Sequence, residues 1–261
     1  CLSISELFLS ENCQNKRCAS PLLYVSDINF STQMRRATRD VHKLSDALVN
    51  AKLAFALSDD AVWAEGLLVF YEVFKYLEEN VPEDLLPREF HRKTAFENDL
   101  SYYLGPEWMR SYEPRKEVQS YVAHLKELKE KKPILLLAYV YHLYMGLLSG
   151  GQILQKKRAF ASRVNPLARG EATLNGSQVT YFGGLTIADL KNKMRQLVDT
   201  KATEFDEQLK KLLIEESRTV FELNNEIVRT VKGVNQVNLR KVLIVALFAV
   251  LTYFLYKYIF C

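Results

Sequence analysis

The end of the chain constrains the fold most. Val242 to Phe260 reads VLIVALFAVLTYFLYKYIF, nineteen residues with a single charge, Lys257, near the far end. As a helix this run spans about 28 Å, close to the ~30 Å hydrocarbon core of a bilayer, and Lys257 can snorkel to the far interface. The alternative is a buried core helix that happens to come last; the run is expected to be a transmembrane helix. Arg229, Lys232, Arg240 and Lys241 cluster on its N-terminal side, which by the positive-inside tendency keeps residues 1–241 cytosolic. The opening CLSISELFLSENC lacks a basic n-region and a long apolar run, so it does not read as a signal peptide. Insertion is then expected to be post-translational, as a tail anchor. The chain opens on Cys1 rather than on a methionine, and its first residues are expected to be a fragment or to follow a missed upstream exon.

Ahead of the anchor, 261 residues suffice for one sizeable domain with appendages. A hydrophobic share of 48% and a charged share of 25% exclude wholesale disorder and a polytopic membrane protein, and only 10 Gly and 7 Pro exclude fibrous classes. The net charge of +4 is too mild for wrapping nucleic acid. Cys1, Cys13, Cys18 and Cys261 all lie in the tails; the C-x4-C pair has no second pair or nearby histidine, which speaks against zinc, against a disulfide scaffold and for a reducing compartment.

Residues 1–26 carry no pattern and are expected to form a mobile tail. From Ser31 the period is helical. Phe30, Met34, Ala37, Val41, Leu44 and Leu48 recur at three and four, as do Trp63, Leu67, Phe70, Phe74 and Leu77. Further helices are predicted from Phe90 to Tyr103 and from Arg115 to Lys131, then a long apolar stretch over Ile134–Leu154. Pro166, Gly170, Gly176, Gly183 and Gly184 mark Phe160–Leu185 as a loop, and helical spacing resumes from Ile187 to Val231. No segment alternates as a strand does, so the expected class is all-α. The expected boundaries are a tail over 1–26, a helical domain over 27–232, a basic linker over 233–241 and the anchor over 242–260.

Two places carry chemistry. Arg35, Arg39 and His42 stand at i, i+4 and i+7, so an imidazole and two guanidinium groups share one helical stripe beside the apolar one. Such an imidazole can bind a heme iron while the arginines pair with propionates; a solvated basic face with a surface histidine has the same spacing. The second place is YHLYMGLLSGGQIL, Tyr141 to Leu154. Gly146, Gly150 and Gly151 each cost a helix about 1 kcal/mol relative to alanine. What they offer is close approach of backbone to a flat ligand or to another helix, with a natural kink at Gly150–Gly151. No triad, HExxH pair, Walker loop or GxGxxG is present.

These residues lie in blocks that resemble the heme oxygenase family in its membrane-anchored eukaryotic form. The blocks are ATRDVH around His42, EFHRKTAFENDLSYYLGPEW from Glu89 to Trp108, and LLLAYVYHLYMGLLSGGQILQKK from Leu135 to Lys157, with a looser IEESRTVFELN from Ile214 to Asn224. The resemblance covers roughly residues 28–232. It implies a single helical domain holding heme b, both prosthetic group and substrate, between a proximal and a kinked distal helix. It further implies oxidative ring opening to biliverdin with release of carbon monoxide and ferrous iron, driven by oxygen and an NADPH-dependent cytochrome reductase. Biliverdin reductase enters as a further partner and the endoplasmic reticulum as the membrane. In this chain His42 matches the axial metal ligand. Gly146, Gly150 and Gly151 match the distal glycines, placed to bring backbone over bound oxygen; Arg35, Arg39 and Arg195 match the propionate contacts, and Tyr141 matches a tyrosine of the same pocket rim.

Two departures stand out. Leu147 occupies the place of an aspartate that organises proton-delivering water in the family, and leucine holds no water. This keeps a heme-binding or heme-sensing alternative in play and makes His142, one turn before Gly146, a candidate substitute. Asp199 stands where the family steers a propionate with arginine, and an acid there is expected to loosen heme orientation. His91 is expected to be structural and His124 to be a surface residue.

Overall fold

The computed structural model describes residues 28–53, 59–164 and 175–260. The tail expected over residues 1–26 and all four cysteines lie outside them. Every regular element among the described residues is helical.

The first predicted helix comes in two pieces, α1 (Phe30–Ala37) and α2 (Arg39–Leu53), because Thr38 folds its hydroxyl back onto the Met34 carbonyl at 2.9 Å. Such back-bonding competes with the helical ladder and bends it. Phe30 and Met34 are buried as their spacing predicts. Leu44, expected to face inward, is instead 60% exposed: α9 covers α2 on one flank, and Leu44 lies on the other.

The helix α3 (Asp60–Asn80) starts where the Asp59 carboxylate accepts from the amides of Ala61 and Val62, at 3.1 and 3.2 Å, satisfying two of the orphan donors at a helix start. It packs on α4 (Lys93–Leu104) and α5 (Lys116–Lys131). At the centre lies α6 (Leu136–Gly146), buried on all sides from Leu136 to Tyr144. The predicted kink is a π-helical turn over Leu147–Gly151 leading into α7 (Gln152–Val164). A π turn inserts one residue into the ladder and so redirects the helix beyond it.

Two further helices close the bundle. α8 (Ile187–Lys201) is capped by Thr186, and α9 (Glu207–Arg229) by the Asp206 carboxylate, which accepts from Leu209 at 2.7 Å. α9 packs on α1, α2, α5 and α6. Its Arg218 grips both Asp40 carboxylate oxygens, at 2.9 and 2.8 Å, and the Ala37 carbonyl. That guanidinium, with backbone hydrogen bonds adding to it, holds the Asp40 carboxyl down at about 2, and the grip fixes the α1–α2 junction against α9.

The segment expected as a basic linker over 233–241 is helical from Val234: α10 (Val234–Phe260) is one continuous rod. Gly233, at φ +80°, makes the corner; a Cβ there would stand 3.2 Å from Val62 and demand an unfavourable backbone region. Val234 and Val237 dock on the domain, and from Leu239 onward the large apolar side chains are exposed. The chain holds two helical runs long and apolar enough to cross a membrane among its described residues. Pro133–Phe160 is mostly buried, hence core, whereas none of the most apolar window of Val234–Ile259 is buried.

Candidate functional site

The candidate site lies where α2, α6 and α9 meet, around His42, His142 and Phe221. On one wall stands His42, whose imidazole Nδ1 lies 3.0 Å from Asp46 Oδ2, one helical turn on; about half of the His42 side chain is exposed. With Nδ1 held by a carboxylate the ring presents Nε2, the arrangement by which an outer partner orients a metal-binding histidine. The ring leans on Phe221 of α9, centroid to centroid 5.3 Å.

The facing wall is the end of α6 and the π turn. Gly146 and Gly150 are exposed there, and a Cβ on either would meet no atom within 4 Å. Helix packing therefore does not account for these two glycines; open space does. Gly151, grouped with them by sequence, faces elsewhere: its Cβ would stand 3.0 Å from Leu147 Cδ1 and 3.8 Å from Thr180. Successive helical residues lie about 100° apart, so adjacent glycines cannot share one face. The π turn is held from behind, where Gln152 Nε2 donates to the Thr180 carbonyl at 2.6 Å. That loop in turn hangs on the buried Asp99, which accepts from the amides of Gln178 and Val179, each at 2.9 Å; burial raises its carboxyl above the usual range while those amides oppose the shift.

At one end of the site α1, α6 and α8 bring together the basic and phenolic groups. Tyr141 is buried and its hydroxyl donates to the Ser31 carbonyl at 3.1 Å. Burial raises this phenol, while the positive charges of Arg195 and Arg35 nearby pull it the other way. Arg195 donates to Asn192 at 3.0 Å; Arg35 and Arg39 reach solvent on the same side of the α1–α2 pair. Asp199 is not loose beside them. Its two oxygens accept from Ser31 N at 2.7 Å and Ser31 Oγ at 3.0 Å, so the acid anchors the start of α1. The carboxylate thus has a structural role besides the charge that the sequence gives it.

The other histidines divide. His142 lies at the floor of the site, 9% exposed, with its ring 4.9 Å from Tyr141 and 5.0 Å from Phe221. Burial first, and then the nearby His42, push its pKa down to about 3. His91 reaches the Leu86 carbonyl at 3.3 Å, a structural contact. His124, expected at the surface, is instead tucked 2.7 Å from the Tyr139 hydroxyl and 3.2 Å from Glu216.

Asp46 and Phe221 are the residues that sequence reasoning missed. Asp46 was findable, since i, i+4 from an imidazole is hydrogen-bonding distance on a helix; Phe221 was not, because its role depends on how α9 lies across α2 and α6.

The groups gathered here suit a porphyrin. It brings four nitrogens of its own and needs only one oriented imidazole, a flat slot without side chains and cations for its carboxylates. A bare ion does not fit: among the described residues no group of three or more His, Cys, Asp or Glu gathers to hold one.

The family model described as heme oxygenase matches residues 28–230. The chain is 29% identical over 211 residues to heme oxygenase 1 of Homo sapiens, covering 75% of this chain and 69% of that one. It is 28% identical over 233 residues to the heme oxygenase of Porphyra purpurea, covering 82% and 94%. The crystal structure of heme oxygenase 2 from Chlamydomonas reinhardtii without heme superposes with a TM-score of 0.68 at 26% identity, over 78% of this chain and 98% of that one.

Proposed function

From the premise that the chain belongs to the heme oxygenase family, we infer how its residues carry out the family's reaction. The protein is a heme-degrading monooxygenase that opens heme to biliverdin and releases carbon monoxide and ferrous iron. When bound, heme is at once the substrate and the group whose iron takes up electrons and oxygen.

His42 holds the iron from the α2 wall through Nε2, because Asp46 keeps Nδ1 occupied and the ring from turning. Arg35, Arg39 and Arg195 pair with the propionates, and Tyr141 closes that end of the site with its apolar ring and a hydroxyl already committed to Ser31. Gly146 and Gly150 leave bare backbone and open space at their own positions, where a flat ring can approach the main chain. Gly151 serves the turn that places them. Leu147 contributes an apolar contact against that turn and no polar atom.

The single observation that carries this reading is the oriented imidazole of His42 in a chain whose Gly146 and Gly150 leave space that no other atom fills. The test adds hemin to the full chain in detergent. A Soret shift abolished by His42→Ala, followed by loss of the Soret band and growth of a biliverdin band with NADPH and reductase, is expected. A stable complex that never opens its ring overturns the assignment of turnover.

The finer setting belongs to the same proposal. α10 anchors the chain as a single-pass tail in the endoplasmic reticulum membrane with the helical domain cytosolic; its exposed apolar length and the preceding Arg229, Lys232, Arg240 and Lys241 support this. Electrons come from an NADPH-dependent cytochrome reductase at that surface, and biliverdin reductase takes the product. Resistance of the full chain to alkaline extraction, with the domain open to added protease, is the expected result.

A further inference from the structure

One polar group in the site takes no part in that chemistry. His142 is almost wholly buried, and its Nε2 has neither solvent nor a hydrogen-bond partner. A buried nitrogen left in that condition is costly and rare. Its neighbours do not relieve it, since Tyr141 and Phe221 present ring surfaces. His142 precedes Gly146 by four residues and Gly150 by eight, so the three rise along one side of the helical run that borders the site.

Phe221 ties this imidazole to the other. Its ring lies 5.3 Å from that of His42 and 5.0 Å from that of His142, so the two imidazoles are no more than 10.3 Å apart, centre to centre. Two imidazoles that share one metal have ring centres roughly 6 Å apart, given metal–nitrogen bonds of about 2 Å. This bound leaves the two rings within reach of one metal once Phe221 moves from its contact with both.

Resting on the heme-binding reading above, we propose that His142 is a second imidazole ligand of the heme iron. The ferric complex then rests with nitrogen donors from both walls, His42 from α2 and His142 from α6. Ligation satisfies the orphaned imidazole nitrogen. His142 would then cover the iron in a chain whose glycine turn carries Leu147 instead of a polar side chain.

The test is spectroscopic and independent of turnover. Hemin is added to the full chain in detergent, and absorption and electron paramagnetic resonance spectra of the ferric complex are recorded. The wild type is expected to be six-coordinate and low-spin, and His142→Ala to lose the low-spin signal and become high-spin, with free imidazole restoring it. Pulsed measurements on the wild type, which need no variant to fold, are expected to count two histidine nitrogens. A high-spin wild-type complex overturns the proposal, as does a His142→Ala complex whose low-spin signal is unchanged; neither touches the binding of heme by His42. Failure of hemin to bind at all, or a spectrum indifferent to His42→Ala, overturns the underlying reading as well.

Discussion

Removing the Asp46 carboxylate tests the site at its hinge. Asp46 Oδ2 is 3.0 Å from His42 Nδ1, and 63% of the Asp46 side chain and 53% of the His42 side chain are exposed. Loss of the outer partner of a metal-binding histidine weakens metal affinity about 10- to 100-fold. Water around this pair screens its charge and offers the ring a replacement acceptor, which places the expected loss at the low end, about tenfold or about 1.4 kcal/mol. The assay is hemin titration of Asp46→Ala, alone and combined with His42→Ala. If the carboxylate acts by orienting the imidazole, the single change costs about tenfold and the same change costs nothing once the imidazole is gone. Equal losses in both backgrounds would mean that Asp46 acts on heme or on the fold by another route, and no loss in either would refute the orienting role.

Other perturbations separate stability from function. Gly146→Ala is expected to stabilise the heme-free protein by about 0.5–1 kcal/mol in thermal unfolding, since its methyl meets open space, while lowering the rate of heme opening. Gly151→Ala gains little, because Leu147 stands 3.0 Å from the new methyl. Asp199→Ala removes both bonds to Ser31 and is expected to cost about 1–2 kcal/mol in urea unfolding; an unchanged midpoint counts against its anchoring role. His142 contributes a pH slope whose sign comes from its pKa of about 3 when folded against 6.5 as the ordinary value. The unfolded chain binds its proton first, so the stability this group supplies is complete above about 6.5 and is lost as pH falls toward 3. The difference between heme-free wild-type and His142→Gln unfolding curves across that window is expected to show it, and parallel curves refute it.

Much of the architecture was legible because helices report themselves through nearest neighbours. The spacing of Trp63, Leu67, Phe70, Phe74 and Leu77 anticipates α3, and Gly105 and Pro133 stop helices within a residue or two of where they end. The break at Thr38 was not legible, since it turns on which of two acceptors a hydroxyl chooses. Nor was the fate of Leu44: its periodicity matches that of Met34, yet one is exposed and the other buried, because only α1 is enclosed by α8 and α9.

What the sequence determined by itself is local: helical class, the apolar terminal run, the i, i+4 stripe with His42, and the three glycines in one strong helix. These come from side-chain chemistry and from the 3.6-residue period alone. Tertiary structure decided which of those features meet. It set Gly146 and Gly150 toward open space and Gly151 against Leu147, gave Asp199 the anchoring of α1, drew His124 under Tyr139, and put Phe221 against two imidazoles far apart in the chain. Those outcomes depend on contacts between elements distant in sequence, which packing of α9 across α2 and α6 creates and no local pattern encodes.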